Sequence, residues 1–179
     1  MISSQSASLV VGLPGKTPGQ IEIDFVGAQL SDPQGIELQK SQTNYPWDAD
    51  PANWRTHVPN YAKIAYLDLY PGIDATIYGT GHQVEHDFVV APGADYRQIC
   101  MHFSSDARVS VRKDGVLSIT VDNVSLQMLK PVVYEEADGK RREKRGSYLL
   151  LPNGDISFVV ADYNPRHKLI IDPVLSVAF

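Results

Sequence analysis

Two histidines, His82 and His86, stand four residues apart, and by type they could share a metal ion. The residues around them, Gln83 to Val90, read as a β-strand, and the spacing then works against chelation. At ~3.3 Å per residue, positions i and i+4 lie on one face but about 13 Å apart. Two nitrogens on one zinc, each ~2.0–2.1 Å from it, must lie within ~4 Å of each other. His86 also shares its face with Val84, Phe88 and Val90, which predicts a core or core-edge histidine. On the opposite face the same strand sets Glu85 and Asp87, with Cα atoms roughly 6–7 Å apart. Carboxylates at that separation suit glycoside hydrolysis if one is partly buried and raised in pKa. They suit equally well two solvated charges on the outer face of a sheet.

A second group lies between Ser41 and Asn60, a stretch with three prolines, both tryptophans and no useful periodicity. It reads as one long loop, and such loops tend to be functional or packed on themselves. Tyr45, Trp47 and Trp54 could stack on a sugar ring, or pin the loop to the sheet beneath. Asp48, Asp50 and Asn53 resemble the start of a calcium loop, without the glycine and the distant bidentate glutamate of an EF-hand. Carboxylates in loops also cap turns. Lys140, Arg141, Arg142, Lys144 and Arg145 form a basic run beside Glu135, Glu136 and Asp138. On a hairpin these charges pair across strands or keep a solvated edge from aggregating; a polyanion site is the alternative. Cys100 lies in an apolar strand, no nucleophile elbow is present, and Gly79-Thr80-Gly81 reads as a hairpin turn rather than a phosphate loop.

These residues hang on strands. Gln20 to Val26 alternates Ile21, Ile23 and Phe25 against Glu22 and Asp24, the pattern of a half-buried strand. Ala62 to Asp68, Ile73 to Tyr78 and Gln83 to Val90, separated by Tyr70-Pro71-Gly72 and Gly79-Thr80-Gly81, predict an antiparallel meander. Asp95 to Gln98 suggests one helical turn. Further runs follow at 99–103, 109–111, 116–121, 124–128, 131–135, 145–151, 156–160 and 168–171, the last closed by Asp172-Pro173. About a dozen short strands with no convincing helix predict an all-β fold, an antiparallel β-sandwich or a strongly curved pair of sheets. Residues 20–179 read as one such domain, with the long loop at 41–60, and residues 1–19 as an N-terminal segment that is an incomplete part of that domain.

The chain has 179 residues and one cysteine, so its core must form without an internal disulfide. A chain near this length buries roughly 70% of its unfolded surface and needs neither bridge nor metal; no cofactor is expected. The net charge of −5 argues against nucleic acid as a partner. No apolar run approaches the ~20 residues of a membrane helix. The first residues lack the basic and apolar regions of a signal peptide, so the chain reads as retained inside a cell or as a piece of a longer protein.

Several motifs in combination carry a family resemblance: DPANWRTHVPNYAKI at 50–64, LYPGID at 69–74, VEHDFVVAPGAD at 84–95, KPVVY at 130–134 and LIIDPVL at 169–175. Over residues 20–179 the chain resembles an uncharacterised all-β domain of bacterial secreted and cell-surface proteins, which precedes seven-bladed-propeller-type (SBBP) repeats. The resemblance implies an extracellular or cell-surface location and a neighbouring β-propeller in the same polypeptide. That family usually has tyrosine where this chain has His86, which again implies packing, and it brings no catalytic residues. The expectation is a non-catalytic structural or adhesive module. A carbohydrate-binding module using Trp47 and Trp54 is the first alternative, and a glycan-active enzyme using Glu85 and Asp87 the second.

Overall fold

The computed structural model describes residues 7–13, 19–29, 32–80, 83–104, 106–121 and 124–178. Among them are fifteen strands and two short 3-10 turns, and every strand pairing is antiparallel. In chain order the strands are β1 (Ala7–Leu13), β2 (Gly19–Phe25), β3 (Gln34–Tyr45), β4 (Arg55–Tyr70), β5 (Ile73–Thr80), β6 (Gln83–Val90), β7 (Met101–Phe103) and β8 (Arg108–Val111). There follow β9 (Leu117–Val121), β10 (Val124–Met128), β11 (Val132–Ala137), β12 (Lys140–Leu150), β13 (Ile156–Ala161), β14 (Lys168–Asp172) and β15 (Val174–Ala178). The all-β class expected from the alternating runs is what the chain adopts.

The fifteen strands form one continuous hydrogen-bonded array, which β12 divides into two sheets: β1-β2-β7-β13-β12 on one side and β12-β11-β14-β6-β5-β4-β3 on the other. Its first half, Lys140 to Lys144, pairs with β11, and its second, Arg145 to Leu150, with β13. Gly146 sits at this crossing, where an added Cβ would overlap a methyl group of Val133. The β11–β12 hairpin turns through Asp138 and Gly139, both at positive φ (51° and 69°), the type I′ geometry for which Asp-Gly is suited. The expected meander is β4-β5-β6.

β6 has one continuous neighbour, β5, and two on its other edge. Residues Phe88 to Val90 pair with β14, and Gln83 to Glu85 with β15. Pro173, which reads in the sequence as the end of the last strand, is the point where the chain changes partners. β15 then continues alongside β10 and, through it, β9 and β8. β6 stays its neighbour in the same register across the proline, and only the other edge changes, from β11 to β10, so the missing N–H falls where one ladder ends and the next begins. In the N-terminal segment, β1 pairs with β2 over its whole length.

The core lies between the two sheets. Ile23 and Phe25 come from β2, Phe88 and Val90 from β6, Leu117 and Ile119 from β9, Leu126 and Met128 from β10, and Ile156 and Phe158 from β13. Each set occupies alternate positions, as one buried face requires. Three buried tyrosines bring their hydroxyls to backbone partners. Tyr70 donates to Cys100 O (3.1 Å), Tyr148 donates to Leu129 O (2.7 Å), and Tyr96 accepts from Val160 N–H (3.2 Å).

The stretch expected as one loop from 41 to 60 is mostly ladder. β3 and the first half of β4 form a hairpin whose connecting segment is only residues 46–54. Alternation was invisible there because no residue from 32 to 64 is buried. Irregularities also break the period, at Glu37 and His57 (φ 59° and 58°) and in the register between Leu38 and Gln42.

Gly146→Ala tests the β12 crossing. Because the added methyl meets a β-branched side chain on the neighbouring strand, the substitution should destabilise by ~1–3 kcal/mol in urea denaturation. Val133→Ala in the same chain should recover part of that loss. A neutral Gly146→Ala would show that the crossing has slack.

Candidate functional site

β4 is paired with β5 only from Lys63 onward, so beyond about Tyr61 the β3–β4 hairpin is a two-stranded arm. At ~3.3 Å per residue it extends roughly 20 Å past its third neighbour. Such a ribbon is marginal by itself, and polar contacts brace it. Thr43 Oγ1 donates to Asn60 Oδ1 (2.9 Å), Asn60 Nδ2 donates to Ser41 Oγ (3.1 Å), and His57 N–H donates to Asn44 Oδ1 (2.8 Å). At the base, Lys63 pairs with Glu37 at 2.7 Å.

The tip, residues 46–54, is tied to itself. Asp48 accepts from Asp50 N–H (2.8 Å) through one carboxylate oxygen and from Asn53 Nδ2 (3.0 Å) through the other. These bonds hold its carboxyl below the usual range, the Asp50 amide contributing most. Asp50 caps the 3-10 turn Pro51–Asn53 by accepting from Ala52 N–H at 2.9 Å. The trio singled out for calcium therefore faces the loop's own donors. Among the described residues no group of three or more His, Cys, Asp and Glu is placed to hold a metal ion.

Both indole N–H groups are also engaged inside the tip, Trp47 with Asn53 O (2.5 Å) and Trp54 with Asp48 O (2.7 Å). The rings themselves are in solvent: Trp47 is 68% exposed, Trp54 40% and Tyr45 51%. Arg55 holds its guanidinium over the Trp47 ring, 5.3 Å from the centroid. Tyr45, Trp47, Arg55 and Val58 line a groove of about 400 Å³. The aromatic trio read from the sequence is thus brought together on the arm rather than pinned to the sheet. Arg55, which completes the groove, carried no sequence signal beyond its place next to Trp54.

Glu85 and Asp87 share the outer face of β6 as the alternation predicts, but the carboxyl that meets Asp87 is Asp172 of β14. It lies one step along the ladder from the Ile171–Phe88 pair, and the two carboxyls are hydrogen-bonded. Burial, and then the Asp87 charge, pushes Asp172 up to about 6. Asp87 is raised as well, by burial first. Tyr78 donates to the Asp87 carboxylate (3.2 Å to the nearer oxygen), and burial raises its own pKa. Two like charges this close cannot both ionise cheaply, so the pair keeps one proton up to about pH 6. A bond spanning two strands distant in sequence has no local signal.

His86 is fully buried in the core, its ring edge-on to Phe88 at 5.5 Å. Neither ring nitrogen finds a partner, and burial pulls its pKa down to about 4, so it is neutral near pH 7. His82, its supposed metal partner, lies outside the described residues. The basic run pairs across the β11–β12 hairpin and its neighbours. Buried Glu135 receives Lys144 (3.3 Å), Arg142 (3.8 Å) and the Asn164 N–H (3.0 Å). Glu136 receives Lys168 (2.7 Å) and Arg141 (3.4 Å), and Asp162 receives Arg145 (2.9 Å).

A further dyad was not legible in the sequence. His102 Nδ1 lies 2.7 Å from Asp155 Oδ1, beside a cavity of about 360 Å³ that Ser104 and Asn153 also line. Asp155 Oδ2 accepts from Asn153 Nδ2 (2.7 Å) and from the Cys100 thiol (3.6 Å). Burial, then the Asp155 charge, pushes Cys100 up to about 11, so it is a thiol and not a nucleophile near pH 7. The carboxylate anchors the 151–155 turn against β7.

A two-sheet antiparallel β domain with a projecting aromatic arm is the class this fold defines. The chain belongs to the family described as a domain of unknown function, DUF7948, whose model matches residues 6–174. No curated protein and no solved structure matches it. No helix among the described residues is long and apolar enough to cross a membrane.

The two perturbed groups on and beneath β6 make opposite contributions to stability against pH. Asp172 is raised above its ordinary 3.8, so its contribution is full below about 3.8 and is lost as pH rises through about 6. His86 is depressed from 6.5, so its contribution is full above about 6.5 and is lost as pH falls toward 4. Asp172→Asn should therefore stabilise at pH 7 by ~1–2 kcal/mol after allowance for solvent screening. His86→Phe should remove a loss of about 2 kcal/mol between pH 7 and pH 5. Urea denaturation at pH 5, 6 and 7 separates them; parallel curves for parent and variants would refute both assignments.

Proposed function

We propose that this chain is a non-catalytic recognition module, structural and adhesive in role, of a bacterial secreted or surface protein. The β3–β4 arm is its contact element. The observation that carries this reading is an arm that contributes no buried residue and yet presents Tyr45, Trp47 and Trp54 to solvent on a hydrogen-bonded tip. Leu38, Tyr61 and Ile64 continue the exposed apolar surface toward the base. Aromatic side chains held in place lose little entropy on binding, which is why they dominate interface energetics. The family resemblance supports the setting, beside a β-propeller array in the same polypeptide.

The internal ties of the two indoles favour a sugar among the surfaces such an arm could meet. With both N–H groups engaged, the rings offer only their faces and edges.

Replacing residues 46–54 by a two-residue Asn-Gly turn joins Tyr45 to Arg55 without touching the core. Retention of purified protein on bacterial envelope and extracellular-matrix material should fall by at least about tenfold, the loss expected when an aromatic hot spot is removed. The thermal midpoint should stay that of the parent. Equal retention by both proteins would sink the arm as the contact element.

A further inference from the structure

The groove at the arm tip has a chemical asymmetry that narrows what fits it. Three of its four walls, Tyr45, Trp47 and Val58, are carbon surface, and the fourth is the Arg55 guanidinium. Among the described residues the Arg55 guanidinium has no ion pair or side-chain hydrogen bond; it lies over the Trp47 ring. Its situation differs from that of the basic run, where Arg141, Arg142, Lys144 and Arg145 all have carboxylate partners. The nearby acids do not quench it. Asp48 and Asp50 turn oxygens to the amides of their own loop, and no ion pair joins them to Arg55.

A guanidinium lying over an indole keeps its N–H edge free, and that edge matches a carboxylate with two parallel hydrogen bonds. The indole and phenol faces beside it favour a flat partner that presents C–H groups, because the indole donors are already engaged. The groove, at about 400 Å³, lies at the lower end of the range of small-molecule clefts, ~300–1,000 Å³.

We propose that this groove binds acidic glycans, with the carboxylate of a uronic acid on Arg55 and the C–H face of its ring on Tyr45 and Trp47. This rests on the reading of the arm as the contact element and names its ligand. A pyranose ring supplies the flat C–H face and the rigidly attached carboxylate together. A glutamate-rich peptide supplies the charge on a flexible stem without the face, and must lose rotamer freedom to bind. The chain's net charge of −5 repels polyanions elsewhere on its surface, so binding should localise to the tip.

The test uses the intact chain and four probes, read by tryptophan fluorescence and calorimetry. Oligogalacturonides and alginate oligomers supply uronic acids of different stereochemistry. Methyl-esterified oligogalacturonides keep the ring and cancel the charge. Polyglutamate keeps the charge and lacks the ring. At least one uronic-acid oligomer should bind, esterification should weaken any oligogalacturonide binding, and polyglutamate should compete poorly, each by about tenfold or more, the scale of a lost charge-assisted pair. Arg55→Gln should lower acidic-oligomer affinity to the esterified level, while Trp47→Ala should abolish binding of both forms. Failure of both uronic-acid oligomers to bind overturns the proposal. So does equal binding of the esterified form or of polyglutamate, or an Arg55→Gln variant that binds like the parent. If these fail while the shortened arm still loses envelope retention, the ligand class is wrong and the arm reading stands. If retention ignores the arm, the arm reading falls first.

Discussion

Everything in this fold is arranged around the inner face of β6, and on that face around Phe88. Its ring meets Phe25 of β2 at 5.8 Å and Phe158 of β13 at 5.9 Å, both edge-to-face, and Phe158 in turn meets Tyr148 of β12 at 5.5 Å. Those contacts join the two sheets. Aromatic pairs in this geometry add to the burial of a large apolar area. The backbone of the same strand holds β5 along one edge and both β14 and β15 along the other. A residue at this position is therefore fixed by packing and by two ladders at once, with β5 and β14, and little elsewhere in the core could move without moving it.

Around that centre the polar groups taken inside mostly find partners, as buried groups must. The tyrosine hydroxyls reach backbone groups, Ser157 donates to Ile99 O at 2.8 Å, and Glu135 gathers two cations and an amide. Two of the exceptions lie near Phe88. His86 precedes it by two residues with both nitrogens unpartnered, and Asp172 leaves Oδ1 unpartnered one ladder step away. His86 is neutral, as an ionisable group buried without a partner must be, and Asp172, set against the Asp87 carboxyl, holds a proton more tightly than usual. The arm takes the opposite course. It keeps nothing inside and maintains its shape through side-chain bonds along a ribbon.

The legible parts of this molecule were those where one face is buried. In β2, β9, β10 and β13 the core requires an apolar residue at every second position, so the alternation was written into the sequence. β3 and the outer half of β4 bury neither face, so no period was imposed and a long strand pair looked like loop. β15 was hidden by Pro173, since a terminator and a switch between partners look alike in sequence. At the site, tyrosine and two tryptophans drew notice by type alone. The carboxyl partner of Asp87 and the open guanidinium of Arg55 are relations between strands, set by register and by what is missing nearby. His86 could be placed in the core because it shares a face with Phe88, a local fact.

The position of β15 has a mechanical side. It lies between β10 and one end of β6, antiparallel to both, paired through residues 174–178. Tension drawn along the axis of β15 from its C-terminal end would load both ladders in shear, so their hydrogen bonds would have to fail together. The outer strand β1, with a single neighbour, could instead be peeled bond by bond. Resistance to force is governed by the unfolding barrier rather than by equilibrium stability, and this geometry raises that barrier in one direction of pull. Pulled along β15 the domain loads two ladders together, and pulled at β1 it loads one.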